Sequence, residues 1–553
     1  MSDKLKIGLI VDGEHVSRYV CQLADWARTT DALCISHLIV QERPTAKKGR
    51  GSFLSRLFGK SPLKHAAVAL WKAKTRLELR RLAAVEAYRG FQETTDMGAR
   101  VPGRIRVTPL VSKSGFVHRF SDQDLEKVRR ENFDLLIRCG SGILRGAILT
   151  SARLGILSFH HGDNRINRGG PAGFWEVYHR QDRTGFVVQR LTEELDGGEV
   201  ILRGYIPTQD AHLLNAAMLF ARSYYHLRAL LLRIARTGEL PAAEPHYPYS
   251  GKLFVTPKLH EMAIYMLRRF TRSAATRVRR TLGHQERWGI AFAKCDWRSA
   301  VLWRGTRIET PPGRFLADPF VVTREGRSCV FAEDYVYRAS RGHISAFELT
   351  DGTARELGVA VKEDFHLSFP FLFEFDGALY MCPETCDAKE IRIYRCTQFP
   401  LKWQLASVAM KDVVAADTMF FFQDGLWWML TNISCTEPHN CASELHLFWS
   451  TTPLTADWQP HPRNPVLFDP QNARNGGLLK DGDGFIRVAQ QQRFGSYGAS
   501  ARLFRITRIS TDEYAEEAVS SITPDFAPGI HGVHHLHSNG VYSVWDYKKW
   551  QRP

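Results

Sequence analysis

Two side chains in the first half of the sequence have the types and spacing of a proton-transfer site. His160 follows an apolar run that contains Ser158, and Asp196 follows a second apolar run. A carboxylate beside an imidazole raises the pKa of the ring and fixes its tautomer, which suits proton transfer during acyl transfer. Asp163 and Arg168 lie in the same stretch, so the residue types alone leave an anion-binding loop as an alternative.

The second half of the sequence offers carboxylates in place of a histidine–carboxylate pair. Four acids stand near short apolar strands that we expect to point toward one axis, namely Asp318, Glu333, Glu384 and Asp417. Paired carboxylates facing a funnel are what glycosyl transfer or glycoside hydrolysis requires, one as acid and one as base or nucleophile. His366 and Arg474 are suited to bind hydroxyl or phosphate groups. Acids that are incidental to a structural β-domain are the alternative.

The elements before residue 240 predict a doubly wound α/β domain over 1–240. Apolar runs predict strands at 5–11, 33–40, 105–111, 134–139 and 154–159, and apolar periodicity predicts a helix at 212–236. Gly140, Gly142 and Ile143 form a turn at the carboxyl end of the strand at 134–139. Open α/β sheets bind their ligands at that end of the strands, so the turn is a candidate binding loop.

A repeated motif dominates residues 290–553. An acidic residue or Asn followed by Gly precedes a short apolar strand five times, with the glycines at Gly326, Gly377, Gly425, Gly484 and Gly540. An Asx-Gly pair between strands is a strong hairpin signal, and a period of about fifty residues is typical of propeller blades. The repeat therefore predicts an all-β five-bladed propeller over 290–553, with an irregular pair of β-sandwiches as the alternative.

The net charge of +16 is concentrated in two segments. Residues 42–81 contain twelve Lys and Arg against two Glu, and residues 258–287 contain eight against two. Apolar residues alternate with the cations in both, as in amphipathic helices that lie on anionic membrane surfaces. We therefore expect a basic amphipathic insert near 42–81, a basic helical linker over 241–289 and peripheral contact with an anionic membrane. Helices lining a domain interface are the alternative, and nucleic-acid binding is unlikely.

The composition is that of a globular intracellular protein. Hydrophobic residues make up 44% of the 553 residues and charged residues 24%, and no apolar run reaches the length of a membrane-spanning helix. The sequence opens into a strand-like run without a signal peptide, and its ten scattered cysteines indicate reduced thiols. We expect a cytoplasmic protein, able to lie peripherally at the inner face of the membrane, and no residue spacing predicts a metal site.

Residues 134–204 resemble the formyltransferase family, which includes enzymes acting on methionyl-tRNA, on glycinamide ribonucleotide and on nucleotide-linked amino sugars. The resemblance rests on Ser158-Phe159-His160, Arg168-Gly169-Gly170-Pro171, Thr184-Gly185 and Leu195-Asp196-Gly197-Gly198-Glu199-Val200. It implies formyl transfer from 10-formyltetrahydrofolate to an amine, assisted by His160 and Asp196. Ser158 stands where the family has an Asn that hydrogen-bonds the formyl oxygen, and a hydroxyl can donate one such bond.

The same resemblance implies contacts with the cofactor and the substrate. The implied cofactor-binding residues are Gly140, Gly142, Ile143 and Asp163. Arg168 is implied to contact the substrate.

Most of residues 290–515 resemble the amino-terminal propeller of plant glucosamine inositolphosphorylceramide transferases, a domain also fused to formyltransferase-like domains in bacteria. The matching segments are 315–320, 331–333, 366–370, 383–384, 416–418, 458–465 and 473–477. A more remote resemblance is to the five-bladed propellers of furanoside-cleaving glycosidases. Their acids run Asp, Asp, Glu through successive blades, whereas the order here is Asp318, Glu384, Asp417.

The resulting prediction is a formyltransferase-like enzyme that formylates an amine, in particular an amino sugar of surface-glycan or glycolipid biosynthesis, with a propeller that binds or processes the glycan. His160 is the predicted general base, Asp196 orients it, and Ser158 lies at the formyl group. The predicted substrate-binding residues are Arg168, Asp318, Glu333, His366, Glu384, Asp417 and Arg474. The alternatives are a glycosyl-transfer or glycoside-cleaving enzyme acting through the propeller carboxylates, and a non-catalytic scaffold at the membrane.

Overall fold

The computed structural model describes residues 4–42, 62–194 and 197–551. The chain divides into two compact units, Met1–Arg269 and Phe270–Pro553. The boundary lies inside a long helix of the segment that the sequence predicts as a basic linker. Within the described ranges, no helix has the length and apolar character needed to cross a membrane.

The first unit alternates strands and helices. Its strands are β1 (Leu5–Val11), β2 (His15–Ser17), β3 (Leu33–Gln41), β4 (Thr94–Asp96), β5 (Gly103–Val107), β6 (Leu110–Val111), β7 (Val117–Arg119), β8 (Leu135–Arg138), β9 (Ile143–Leu144), β10 (Ile156–His160), β11 (Arg168–Gly169), β12 (Arg183–Arg190), β13 (Glu199–Pro207) and β14 (Leu253–Phe254). Its helices are α1 (Arg18–Arg28), α2 (Pro62–Leu82), α3 (Asp122–Arg129), α4 (Phe174–His179), α5 (His212–Thr237) and α6 (Leu259–Thr281). The last helix continues into the second unit.

Seven strands of the first unit form one sheet in the order β13-β12-β10-β8-β1-β3-β5. The five strands from β10 to β5 are parallel, and β12 and β13 add an antiparallel edge. Strands β3 and β5 lie on one side of β1, and the chain then crosses to form β8 on the other side. This arrangement confirms the predicted α/β sheet, and its strand order changes direction between β1 and β8, beside the predicted binding turn.

The second unit is all-β, as predicted. Its strands are β15 (Gln285–Ala293), β16 (Thr306–Arg307), β17 (Arg314–Arg324), β18 (Arg327–Val336), β19 (Arg341–Thr350), β20 (Thr353–Val361), β21 (Ser368–Phe375), β22 (Ala378–Glu384), β23 (Glu390–Gln398), β24 (Lys402–Lys411), β25 (Ala415–Gln423), β26 (Leu426–Ile433), β27 (Glu444–Ser450), β28 (Gln459–Pro460), β29 (Leu467–Phe468), β30 (Asn475–Asp481), β31 (Gly484–Arg493), β32 (Ser496–Ile509), β33 (Tyr514–Ile522), β34 (Ile530–Gly532), β35 (Leu536–Ser538) and β36 (Ser543–Gln551).

These strands form five antiparallel sheets. Four follow the chain, in the orders β17-β18-β19-β20, β21-β22-β23-β24, β25-β26-β27-β28 and β30-β31-β32-β33. The fifth sheet pairs β15 with β36, so it joins the two ends of the unit. Contacts between sheets run from β17 to β21, β21 to β25, β25 to β30, β30 to β35 and β35 back to β17.

The repeated Asx-Gly motif forms the turns between the first and second strands of these sheets. Glu325-Gly326, Asp376-Gly377 and Asp424-Gly425 each have two successive positive φ angles. That geometry belongs to the type I′ turn, whose twist matches the twist of a two-residue hairpin. In the fourth sheet the positive φ falls on Gly482, so the turn lies earlier than the motif predicts.

The basic helix α2 is packed into the first unit. Lys74 is fully buried, and its ammonium lies 3.5 Å from a carboxylate oxygen of Glu78 and 4.2 Å from the centre of the Trp71 ring. Trp71 also contacts Phe174. One face of this part of the predicted amphipathic insert therefore packs into the unit, and residues 43–61 of the insert lie outside the described residues.

Candidate functional site

The first strands of three consecutive sheets carry a bulge at the same place. Pairing shifts there in β17, β21 and β25, so that two residues of the strand face one residue of its partner. The bulged residues are Asp318, Phe369 and Asp417, whose φ angles are 50°, 45° and 50°. Residues other than glycine rarely adopt such φ angles without a compensating role. A bulge also redirects the side chain of the bulged residue.

In four sheets, the second strand carries a polar residue next to the position that the bulge occupies in its partner or to the equivalent position. These residues are Glu333, Glu384, Asn432 and Gln490. The pairing partners of the first three directly precede the bulges, and the backbone N–H of Gln490 donates to the carbonyl of Arg474. The same backbone arrangement, repeated from sheet to sheet, therefore brings acids, amides and an arginine close together.

Arg474 neutralises part of this cluster. Its Nε lies 2.6 Å from Oδ2 of Asp417, and its Nη2 lies 3.7 Å from Oε2 of Glu384. Gln490 donates a second hydrogen bond of 3.0 Å to the same Asp417 oxygen. Burial opposes the charge of Arg474, but Asp417, Tyr497 and Glu384 together outweigh burial and raise the pKa of the guanidinium.

A histidine that the sequence did not predict bridges two carboxylates. Nε2 of His534 lies 3.3 Å from Asp318, and its Nδ1 lies 2.7 Å from Asp546. Burial alone would lower the pKa of His534, but the charges of Asp546 and Asp318 raise it. Asp546 also accepts the backbone N–H groups of His534 and His535, and its pKa is lowered despite burial because His534 is adjacent. The two carboxylates thus favour the charged form of the ring.

The remaining acids are pushed toward their protonated forms. Burial raises the pKa of Asp318 to about 7, with the charge of Asp417 adding to the rise. Burial and the neighbouring Asp417 raise the pKa of Glu384 to about 8, and burial raises the pKa of Glu333 well above its ordinary value. Burial thus favours the protonated forms of Glu333 and Glu384, whereas Asp417 is paired with Arg474, and carboxyl groups in such different surroundings are suited to act as an acid–base pair.

The polar cluster reaches solvent at an aromatic rim. The ring of Tyr497, 42% exposed, lies 5.2 Å from the guanidinium of Arg474 and contacts Trp288 and His534. His366 is partly exposed, with Nε2 3.6 Å from Glu333. An exposed aromatic face beside buried acids suits the stacking of a sugar ring.

The structure brings together six predicted residues of the second unit: Asp318, Glu333, His366, Glu384, Asp417 and Arg474. Sequence reasoning missed His534, Asp546 and Tyr497. The adjacent histidines at 534 and 535 were the available signal, since they directly precede a strand that leads into the fifth Asx-Gly motif.

In the first unit, Ser158 pairs with an arginine. It is buried on β10, and its hydroxyl accepts a hydrogen bond of 3.0 Å from Nη1 of Arg138 at the end of β8. Among the described residues none accepts a hydrogen bond from the buried Nε of Arg138. A guanidinium therefore stands beside the residue that replaces the family Asn.

The two neighbouring histidines differ in their surroundings. Nε2 of His160 lies 2.9 Å from the carbonyl oxygen of Asn167, so this nitrogen carries the hydrogen and Nδ1 is the basic one. His161 stacks on Phe220 with ring centres 3.8 Å apart, and burial lowers its pKa to about 3. His161 is therefore a neutral core residue. Asp196, the predicted partner of His160, lies outside the described residues.

Asp163 and Arg168 are held by protein groups. Asp163 is buried and accepts hydrogen bonds from Arg203, at 2.6 Å, and from Tyr205, at 2.9 Å. Arg168 donates to the carbonyl of Asn164 and lies over the ring of Tyr249. Asp163 thus has a structural ion pair, whereas Arg168 borders a cavity of about 670 Å³.

The predicted turn with Gly140, Gly142 and Ile143 packs at the carboxyl edge of the sheet. The N–H of Ser141 within the turn donates to Asp12, which directly follows β1. Gly142 has a φ of 88°, and a Cβ there would lie 2.3 Å from Nδ1 of His118. The glycine is required because the imidazole occupies the space of a side chain.

Comparisons with known proteins match the two halves of the chain separately. Residues 304–531 match the family model described as glucosamine inositolphosphorylceramide transferase 1, N-terminal. The chain is 33% identical over 246 residues to glucosamine inositolphosphorylceramide transferase 1 of Oryza sativa subsp. japonica, across 44% of this chain and 32% of that relative. It therefore spans about a third of the length of the rice protein.

The first half matches a different enzyme. The chain is 26% identical over 258 residues to methionyl-tRNA formyltransferase of Listeria monocytogenes serotype 4a (strain HCC23), across 44% of this chain and 78% of the relative. A solved structure, Zg3597, a family 117 glycoside hydrolase produced by the marine bacterium Zobellia galactanivorans, covers 48% of this chain and 90% of its own, with 12% identity and a TM-score of 0.33. The sequence matches confirm both resemblances drawn from the motifs.

Proposed function

We propose that the five sheets of the second unit are the blades of a five-bladed propeller around the acid cluster. The succession of contacts from β17 through β21, β25 and β30 to β35, and from β35 back to β17, supports this arrangement. The pairing of β15 with β36 supports it too, since a propeller commonly completes one blade from both ends of its chain.

We propose further that this funnel makes or breaks a glycosidic bond by acid–base chemistry. The observation that carries the proposal is the position of Glu384 and Asp417 around one guanidinium, with Arg474 3.7 Å from Glu384 and 2.6 Å from Asp417. Glu384, whose pKa burial raises to about 8, gives its proton to the oxygen of the leaving group. Asp318, with a pKa of about 7, takes a proton from the attacking water or hydroxyl. Asp417, paired with Arg474, stabilises the cationic sugar of the transition state.

The aromatic rim and its neighbours fit a sugar as substrate. Tyr497 provides a flat apolar face, and His366 provides Nε2 for a hydroxyl group, since its Nδ1 accepts the backbone N–H of Gly342. The direct test is to incubate the full chain with a panel of p-nitrophenyl furanosides and pyranosides, with and without an acceptor alcohol. Nitrophenol release or transfer identifies the sugar, and cleavage of its alkyl glycoside that depends on Glu384 supports the proposal.

Formyl transfer in the first unit is a second candidate, favoured by the buried Arg138–Ser158 pair. The Nε–H of Arg138 is the type of donor that a formyl oxygen requires, so these residues fit 10-formyltetrahydrofolate as the donor. That cofactor would supply the formyl group, with Arg138, Ser158 and the turn at Gly140 holding it. His160 would accept the proton of the attacking amine at Nδ1.

Binding of a stable 10-formyltetrahydrofolate analogue tests this second candidate by calorimetry. Arg138→Met is expected to weaken binding about 10-fold or more, because a charge-assisted hydrogen bond is lost. Arg130→Met, at an exposed side chain, is the matched control and leaves the affinity unchanged. His160→Ala and Asp196→Asn separate binding from proton transfer. Absence of binding at millimolar analogue contradicts folate-dependent transfer.

We also propose that the part of α6 in the second unit contacts an anionic membrane. Phe270 and Val278 of this helix are 72% and 55% exposed and lie eight residues apart on one side of it, and Leu282, directly after the helix, is 59% exposed. Exposed arginines at Arg277 and Arg280 flank this face. The charge of the flanks fits anionic headgroups, and the apolar stripe fits the acyl boundary.

A basic cavity of about 1280 Å³ adjoins the same part of the helix. Its lining includes Arg272, Arg279, Arg280, His284, His531 and Trp550. Glu286 is a carboxylate of the lining, and it is already paired with His531 at 3.1 Å. An excess of cations around a cavity fits a lipid phosphate.

Vesicle sedimentation tests the membrane proposal. The protein is expected to bind phosphatidylcholine vesicles containing phosphatidylserine and to remain in the supernatant with phosphatidylcholine alone. The double variant Arg277→Glu and Arg280→Glu should bind about 10-fold more weakly or worse, since each cation near the surface contributes about 1 kcal/mol. Arg355→Glu, on the exposed part of β20, is the control. Equal binding by both variants contradicts a role for α6.

A further inference from the structure

Three side chains of the third sheet, outside the acid cluster, converge on one point. Glu444 and His446 lie two residues apart on β27, so they project from the same face of the strand. Cys435 follows β26 in the connection between the two strands. Their ligand atoms, one sulfur, one oxygen and one nitrogen, all lie within 4.8 Å of one another.

The distances match those between ligands of a tetrahedral metal ion. Sγ of Cys435 lies 3.3 Å from Oε2 of Glu444, and Nε2 of His446 lies 3.5 Å from the same oxygen. Zinc bonds of about 2.3 Å to sulfur and about 2.0 Å to nitrogen and oxygen place neighbouring tetrahedral ligands roughly 3.3–3.5 Å apart. One carboxylate oxygen thus lies at this distance from both the sulfur and the nitrogen, as in three ligands of one tetrahedral ion.

Hydrogen bonding alone leaves the imidazole unsatisfied. The thiol of Cys435 is able to donate to Glu444, but the distance of 3.5 Å from His446 exceeds that of an ordinary hydrogen bond. Within the described residues, Nε2 of His446 is buried and has no hydrogen-bond partner. Leaving a buried polar nitrogen unsatisfied destabilises a fold, so its orientation toward Glu444 points to a ligand.

We propose that Cys435, Glu444 and His446 bind a zinc ion, with water at the fourth position. Thiolate, imidazole and carboxylate are zinc ligands, whereas calcium and magnesium prefer oxygen ligands alone. Binding releases the thiol proton to solvent, and the metal then joins a carboxylate and a thiolate that would otherwise repel each other. The sequence order, Cys435 then Glu444 then His446, follows none of the recurring zinc spacings, so motif reading predicts no metal here.

The proposed zinc site is linked to the acid cluster through one amide. The side chain of Asn432 donates to the backbone carbonyls of Glu444 and Ala473, and its oxygen accepts the N–H of Asn475. Arg474 lies between these last two residues. The ion therefore has a structural position, holding the connection after β26 against β27, whose Glu444 is linked through Asn432 to the residues on either side of Arg474.

Metal analysis and cobalt substitution of the full chain test the proposal. Protein prepared without a metal-affinity step is stripped with a chelator, dialysed and loaded with zinc sulfate, and bound zinc is measured by mass spectrometry. We expect one zinc per chain in the unsubstituted protein and its loss in Cys435→Ser and in His446→Ala. Cys34→Ser, at an exposed thiol of the first unit, is the matched control and retains the ion.

Cobalt substitution distinguishes loss of a ligand from loss of folding. Cobalt(II) bound by the unsubstituted protein should show a thiolate-to-cobalt charge-transfer band, and this measurement needs no variant. The band should be absent from Cys435→Ser. Zinc that remains stoichiometric in Cys435→Ser, a cobalt spectrum without the thiolate band, or no zinc binding by the unsubstituted protein would each overturn the proposal.

Discussion

Glu384→Gln is expected to lower glycosidic-bond cleavage or transfer by about 100-fold or more, in keeping with the loss of a general acid. The amide has the shape of the protonated carboxyl but no proton to give to a leaving oxygen. The measurement is alcohol release from the alkyl glycoside of whichever sugar the full chain cleaves, because an alkoxide departs only with a proton. Because the glutamine is neutral, like the carboxyl that it replaces at neutral pH, the variant should fold normally.

Glu374→Gln is the matched control, because that glutamate lies in the strand paired with β22 and is 63% exposed. It should leave the rate unchanged. A leaving group that departs without protonation should restore part of the Glu384→Gln rate, since the acid is needed only for a poor leaving group. Equal rates in Glu384→Gln and the unsubstituted protein would remove Glu384 from the chemistry.

Arg474→Leu is expected to lower the free energy of unfolding by about 3–5 kcal/mol at pH 8, the typical cost of removing one partner of a buried ion pair. The guanidinium is the cation that lies 2.6 Å from Asp417, which is 1% exposed. Without it, the charge of Asp417 is stabilised mainly by the amide of Gln490. Denaturant unfolding at pH 5 and pH 8 measures the loss.

The pH dependence of this loss has a definite sign. A buried carboxyl without its cation has a folded-state pKa above its unfolded-state value, so it destabilises the fold as pH rises between the two values. The deficit of Arg474→Leu should therefore be larger at pH 8 than at pH 5. Arg508→Leu breaks an exposed pair with Glu513 and should cost less than about 1 kcal/mol. Adding Asp417→Asn to Arg474→Leu should recover much of the loss, and a loss that persists would contradict the ion-pair explanation.

The predictable part of the acid cluster came from a repeated local pattern. Asp318 and Asp417 each lie seven residues before the acidic residue of an Asx-Gly turn. Because the register of a hairpin is fixed by its turn, residues at the same distance from the turn occupy equivalent positions in their sheets. The spacing between acid and turn therefore predicts where the two acids lie. Phe369 occupies the same position in the intervening sheet, which shows that the bulge belongs to the fold and the carboxylate to the site.

The part that could not be predicted depends on pairing between distant segments. His534 lies five residues before its turn, so the spacing rule does not reach it. Its position between Asp318 and Asp546 follows from the sheet in which β36 pairs with β15, more than two hundred residues earlier. In the first unit, Asp163 was similarly interpreted from its loop, whereas its partner Arg203 comes from β13. Ion pairs between distant segments leave no spacing in the sequence.

The pairing of β15 with β36 has a consequence for synthesis on the ribosome. Strand β15 emerges first among the strands of its unit, but its partner spans Ser543–Gln551. The four sheets between them are built from consecutive segments and are able to form as they emerge. During that time β15 has an open edge, which is a site for pairing with other chains. The edge of β15 is thus covered only once β36 has been synthesised.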